Sequence, residues 1–154
     1  MDSYVVMRVG PERYGAHVSQ VRSVERVGDI TPVPRTLSFI KGVMHLRGSI
    51  VPVIDLAERV GSRRGSADEE DRRIVVAEVE DMVVGMMVDA VEDVVHIPPE
   101  AVEPPPPVVG GLDAVYLRGV ARLGDDLLVL LNLERVFSAV EAEQLKQVEK
   151  LVRG

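Results

Sequence analysis

The sequence predicts an all-β protein, two small barrels followed by a C-terminal α-helix. Three observations carry this reading. The chain contains two collinear repeats that align without internal gaps. Its apolar residues are dominated by valine, whose branched Cβ suits a pleated strand better than a helix. Short apolar runs alternate with turn signals at close spacing, the pattern of small β-architectures.

The first repeat block pairs residues 4–27 with 74–97 at an offset of 70. Val5, Val6, Val9, Gly15, Val18, Val21 and Val24 match Val75, Val76, Val79, Gly85, Val88, Val91 and Val94. Valine matches are cheap in a valine-rich chain, so the Gly15/Gly85 pair and the ungapped run weigh more. The second block pairs residues 39–56 with 116–133 at an offset of 77. Here Gly42, Val43, Leu46 and Leu56 match Gly119, Val120, Leu123 and Leu133, while Lys41 faces Arg118 and Asp55 faces Asn132. The offset changes because the second copy has a longer connector, which holds Pro104–Pro107.

Residues 4–9 read as a strand that Gly10-Pro11 turns back. Residues 15–24 read as a strand running into an irregular segment, since Val18, Val21 and Val24 are spaced by three. Residues 45–56 read as a hairpin turning at Leu46-Arg47-Gly48-Ser49, with residues 50–56 a buried strand. Pro52 lies inside that strand and predicts an edge or a bulge, because proline lacks the ladder N–H. Residues 55–60 suit one short helical turn. Residues 61–73 are Gly/Ser-rich and charged, the composition of a solvated linker. Gly124-Asp125-Asp126 supplies the second copy's matching turn. After Glu134, Val136, Phe137, Val140, Leu145, Val148, Leu151 and Val152 recur at helical spacing. The expected boundaries are a first barrel over 1–66, with a boundary strand open to exchange, a linker over 67–73, a second barrel over 74–138 and an amphipathic helix over 139–154.

Composition excludes several function classes. The 154 residues carry a net charge of −7, which opposes binding to nucleic-acid phosphates. Aromatics are 3% and Trp is absent, so stacking platforms for bases are scarce and the core must be Val, Leu, Ile and Met. No Cys is present, which removes disulfides, thiolate metal sites and a Cys nucleophile. The start lacks the basic and apolar regions of a signal peptide, and no run reaches the length of a membrane span. The expectation is a soluble cytosolic protein.

Candidate chemical sites are few. His17, His45 and His96 are scattered, so no metal site is expected. Ser49, His45 and Asp55 are the residue types of a hydrolytic triad but fall within one hairpin. GPERYG at 10–15 lacks both the dinucleotide and the phosphate-loop patterns. Pro104–Pro107 suits a rigid connector better than a polyproline ligand, and Asp68–Asp71 is a solvated acidic run.

Four stretches carry a family resemblance: YVVMRVGPERYGAHVSQVRSV, ITPVPRTLSFIKGVMHLRGSIVPVIDL, VVGMMVDAVEDVVHIPPE and YLRGVARLGDDLLVLLNLERVF. The second, with its GVMHLRGSIVPVIDL core, is the most specific. Together they resemble the CheW family of chemotaxis coupling proteins over residues 3–137. The resemblance implies two SH3-like five-stranded β-barrels around a shared apolar core. It implies a non-enzymatic adaptor with no cofactor, joining the cytoplasmic tip of chemoreceptors to the regulatory domain of the histidine kinase CheA, at membrane-bound receptor arrays. It further implies receptor contacts at Val21, Gly42, Arg47, Gly48, Gly85, Val91 and Val94, and kinase contacts at Ile30 and Ile50. His45 replaces the family's usual Asn before LRG. Ser23 replaces an acid that many members carry; it joins the receptor set as a position bearing on receptor preference. A valine groove flanked by an arginine suits docking of a helical hairpin. Gly42 and Gly48 have a structural reading first, as tight turns, and Val21, Val91 and Val94 read equally well as core. The rival readings are an adaptor of a non-flagellar pathway, a metal-dependent enzyme using the many carboxylates, and a nucleic-acid-binding barrel pair.

Overall fold

Duplication governs the architecture. The computed structural model describes residues 2–33, 39–60, 68–105, 108–109, 112–113 and 116–137. The first copy gives β1 (Asp2–Val9), β2 (Glu12–His17), β3 (Val21–Arg26), β4 (Ile40–Leu46), β5 (Ser49–Asp55) and α1 (Leu56–Val60). The second gives β6 (Arg73–Val79), β7 (Met82–Val88) and β8 (Ala90–Ile97). A small ribbon of β9 (Val108–Val109) and β10 (Leu112–Asp113) follows, then β11 (Leu117–Leu123), β12 (Asp126–Leu131) and α2 (Leu133–Val136). Both offsets read from the sequence therefore map strand onto strand. The expected C-terminal helix over 139–154 falls outside the described residues, as does the linker stretch 61–67.

The sheets cut across the expected boundary near residue 66. One five-stranded sheet, barrel A, runs β11-β12-β2-β1-β8; the other, barrel B, runs β3-β6-β7-β5-β4. Each copy thus gives its first hairpin to the other copy's remaining strands, an exchange of two strands rather than one. The joints are parallel and equivalent: β12 on β2 through Leu128↔Arg13, Val129↔Tyr14 and Leu130↔Gly15, and β5 on β7 through Val53↔Gly85, Ile54↔Met86 and Asp55↔Met87.

In each sheet the connector that follows one edge strand bridges to the other edge strand at a single point. In barrel B the chain after β3 returns to β4, where Thr31 and Val43 exchange N–H···O bonds of 2.8 and 2.9 Å. In barrel A the chain after β8 returns to β11, where Glu103 and Val120 do the same at 2.8 and 2.9 Å. This explains the repeated glycine one residue earlier. A Cβ on Gly42 would lie 2.1 Å from the Thr31 carbonyl oxygen, and its φ is +145°. A Cβ on Gly119 would meet the Glu103 carbonyl oxygen at 2.8 Å. The seam needs a residue without a side chain.

Three apolar clusters result. Barrel A encloses Tyr4, Val6, Ala121, Leu128 and Leu130. Barrel B encloses Met44, Val51, Val53, Ile74 and Val76. The largest cluster joins residues of both sheets with α1 and α2, and includes Met7, Tyr14, Ile54, Leu56, Val84, Leu131 and Leu133. Strand alternation does this work: in β6, Ile74 and Val76 point into the barrel while Val75 and Ala77 point into the shared core.

The Asp55/Asn132 pair occupies the starts of the two helices. The Asp55 carboxylate accepts the Ala57 N–H at 3.0 Å, and the Asn132 amide oxygen accepts the Arg135 N–H at 3.3 Å. Arg59 crosses between copies. It donates to the Val136 carbonyl at 2.9 Å and to the Tyr116 hydroxyl at 2.7 Å, and its guanidinium lies over the equivalent rings of Phe39 and Tyr116.

Pro52 corrects one expectation. It lies at neither an edge nor a bulge, but in β5, which has neighbours on both sides. Its partner Val43 turns both backbone groups away to Thr31, and the parallel ladder on the other side starts at Val53. Neither ladder draws on the N–H that proline lacks.

Candidate functional site

A groove of about 420 Å³ opens at one end of barrel B. Its floor is Val51 and Val76, buried residues of the barrel's own cluster. Leu46, Ile50 and Val83 form apolar walls, with Arg22, Ser23, Arg47 and Asp81 at the rim. Two tight hairpin turns frame it. Arg47 and Gly48 link β4 to β5 with φ of 48° and 82°, and Glu80 and Asp81 link β6 to β7 with φ of 48° and 68°. Paired positive φ values fit a type I′ hairpin turn, whose twist matches that of the strands. Among the described residues, these three side-chain-bearing residues alone have positive φ. Each such conformation costs roughly 1–2 kcal/mol. Strain of this kind clusters at functional sites, and here it borders one groove.

The rim is charged and solvated. Arg47, with 72% of its side chain exposed, donates to the Glu25 carboxylate at 3.2 Å. Arg22 lies 3.9 Å from Glu78. Exposed pairs of this kind contribute at most about 1 kcal/mol each, so they orient the guanidiniums rather than hold the fold together.

The predicted receptor set divides among several surroundings. Ser23, Arg47 and Gly48 belong to the groove end of barrel B, Ser23 and Arg47 lining the groove itself. Val21 and Val91, equivalent by the offset of 70, are half-buried and both pack against the shared core. Val94 is 47% exposed on β8, at the edge of barrel A. Gly42 is buried under Thr31, in a strand rather than a turn. Gly85 is buried in β7, where a Cβ would come within 2.7 Å of an Ile74 methyl group. Gly42 and Gly85 are thus packing positions. The kinase pair stays together: Ile50 walls the groove and Ile30 packs on the barrel B cluster.

Sequence reasoning missed Glu25, the partner of Arg47. It lies two residues beyond Ser23 on the same strand, hence on the same face, and that alternation was the available signal. Val83 and Asp81 were also missed, although the repeat places them opposite Arg13 and Pro11.

The triad types do not assemble. Ser49 and Asp55 are at opposite ends of β5, about 20 Å apart at strand rise, and Asp55 is buried as a helix cap. Among the described residues, no three His, Cys, Asp or Glu side chains are grouped to hold a metal ion, and no helix is long and apolar enough to cross a membrane.

The end of barrel A has different turns and different chemistry. Its concavity, about 530 Å³, lies between the β1–β2 and β11–β12 turns. Arg13 donates to Glu92 at 2.7 Å and pairs with Asp126. These hydrogen bonds, first that to Glu92, raise the Arg13 pKa above its ordinary value.

A family model described as a CheW-like domain matches residues 3–141. The chain belongs to the CheW-like family. It is 31% identical over 144 residues to chemotaxis protein CheW of Treponema pallidum, covering 92% of this chain and 85% of that protein. It is 35% identical over 136 residues to protein FrzA of Myxococcus xanthus, covering 86% of this chain and 83% of that one. Among solved structures it resembles the scaffolding protein TtCheW of Thermoanaerobacter tengcongensis, with a TM-score of 0.84, 34% identity, and coverage of 91% of this chain and 90% of that one. The two-barrel fold expected from the sequence is the family fold, and in the structure each five-stranded sheet is joined at one isolated bridge to the connector that follows its edge strand.

Proposed function

We propose that this protein is a non-enzymatic adaptor that couples chemoreceptors to a CheA-type histidine kinase. The observation that carries the reading is the open groove at the end of barrel B, where Leu46, Ile50 and Val83 lie beside Arg22, Arg47 and Asp81, in a chain of the CheW-like family. An adaptor must hold two partners at once and therefore needs two separable surfaces. Ile50 in the groove and Ile30 against the barrel B cluster supply one, for the kinase regulatory domain. The half-buried Val21 and Val91 beside the shared core, with Val94, supply the other, for the helical receptor tip, and Arg47 with Ser23 borders both roles. Each contact can be small, because many links in an array multiply modest affinities. The protein would be cytoplasmic and reach the membrane through its partners.

The test is a pulldown against a receptor cytoplasmic fragment and a CheA regulatory domain. Ile50→Asp should lose the kinase and keep the receptor; Val91→Asp should do the reverse. Retention of both partners by both variants refutes the site assignment, and binding of neither by the wild type refutes the adaptor reading. A second reading is an adaptor of a non-flagellar pathway, favoured by the likeness to FrzA; it predicts the same contacts with a different receptor and kinase.

A further inference from the structure

The chain supplies the two barrels in different ways. Barrel B draws all five strands from one stretch, β3 to β7, residues 21–88. Barrel A draws β1 and β2 from before that stretch and β8, β11 and β12 from after it. The β1–β2 hairpin is bonded within itself from Tyr4↔His17 to Val9↔Glu12. Its other ladders reach far along the sequence, Ser3↔His96 to β8 and Gly15↔Leu130 to β12. It joins β3 through Val18–Gln20, a single 3-10 turn with no buried residue, in which Val18 is 41% exposed. The contacts that hold this turn face solvent. Ser19 donates its N–H to His17 Nδ1 at 3.1 Å, and Gln20 Nε2 donates to Glu134 Oε1 at 2.9 Å.

We infer that the β1–β2 hairpin is an exchangeable unit whose partner is a second copy of this chain. Two chains trade hairpins about a hinge at Val18–Gln20, and each barrel A is completed by the other chain's β1 and β2. The exchange does not depend on which partners the adaptor binds. Barrel B closes its ladders over shorter sequence separations than barrel A and so forms first. That leaves two unpaired halves of barrel A in each chain. One is the hairpin, with Tyr4 and Val6; the other is β8, β11 and β12, with Ala121, Leu128 and Leu130. A hairpin from another chain offers the same ladder bonds and the same apolar residues, and the hinge alone changes. Each copy already lends its first hairpin to the other within one chain; the same joint serves between chains. The chain's own hairpin wins at low concentration because it is tethered, an advantage on the order of 1 mM. Near that concentration, or with a hinge too short to fold back, exchange competes. The exchanged pair carries every contact surface twice, which raises avidity without a new contact.

The chain has no cysteine, so cysteines placed at facing positions report the exchange. Ser3 and His96 are paired across β1 and β8, and their side chains touch. The double variant S3C/H96C should close a disulfide within one chain when dilute. Chains carrying S3C and chains carrying H96C, refolded together from urea at about 1 mM, should give a disulfide-linked heterodimer whose share falls on dilution. S3C refolded with S49C, on strands that are not neighbours, controls for chance collision. Deleting Ser19 and Gln20 should shift the folded chain from monomeric to dimeric mass in light scattering. No heterodimer from S3C and H96C overturns the proposal, as does equal linking of the control pair. So does a deletion variant that folds and stays monomeric, or an S3C/H96C chain that does not close on itself. Should the deletion variant fail to fold, the cysteine pairs, which leave the hinge intact, decide.

Discussion

Barrel A and barrel B are built from the same repeat and differ at their open ends. Their ladders, seams, helix starts and central glycines correspond position by position. Their ends do not: one carries a charged network around Arg13, the other a mixed groove in which Val83, Leu46 and Ile50 lie beside Arg22, Arg47 and Asp81. A duplicated fold constrains the positions that close each barrel and leaves the rim free to diverge, because rim residues contribute little to stability. Arg59 is a second asymmetry. It clamps Phe39, Tyr116 and the Val136 carbonyl from α1, while its equivalent in α2 is the buried Val136.

The comparison can be broken or sharpened by matched substitutions. The largest effect is expected at the seams. Gly42→Ala forces a Cβ against the Thr31 carbonyl at an unfavourable φ and should cost about 4 kcal/mol, combining backbone strain with overpacking. Gly119→Ala, with a longer approach and no positive φ, should cost less. Urea midpoints of the two variants give the order, and equal costs would show that the seams carry equal strain.

Next come Leu56 and Leu133, equivalent, fully buried and both in the shared core. Each Leu→Ala should cost about 3 kcal/mol. Thermal unfolding that exposes one barrel before the other in either variant would mean that the shared core does not bind the barrels into one cooperative unit. The smallest effect is at the helix starts. Asn132→Ala should cost about 1 kcal/mol. Asp55→Ala should cost more, since Asp55 is buried and Asn132 is only half-buried. A reversed order in chemical denaturation would show that burial does not set the strength of these caps.

Much of the fold was legible in the sequence because its signals are local. Hairpin turns declare themselves through Gly10-Pro11, Arg47-Gly48 and Gly124-Asp125, and the irregular step between β2 and β3 through valines spaced by three. The repeat then doubled every signal. Of the residues expected to make contacts, Ile30 and Ile50 both lie on barrel B, whereas Gly42 and Gly85 are buried against Thr31 and Ile74. A glycine motif does not reveal whether a ligand or the protein's own backbone fills the missing side chain's place.

The sequence by itself determined the duplication, the strands and turns, the matched pair Asp55/Asn132 and the membership of the family. Tertiary structure decided the rest: the exchange of first hairpins between copies, the safe position of Pro52, the partnership of Arg47 with Glu25 and the network around Arg13. Each of these depends on which strands become neighbours across tens of residues. Alternation tells a strand which face is apolar; it does not tell the strand beside whom it will lie, because in a repeat either copy's hairpin offers the same pattern of ladder bonds and valines.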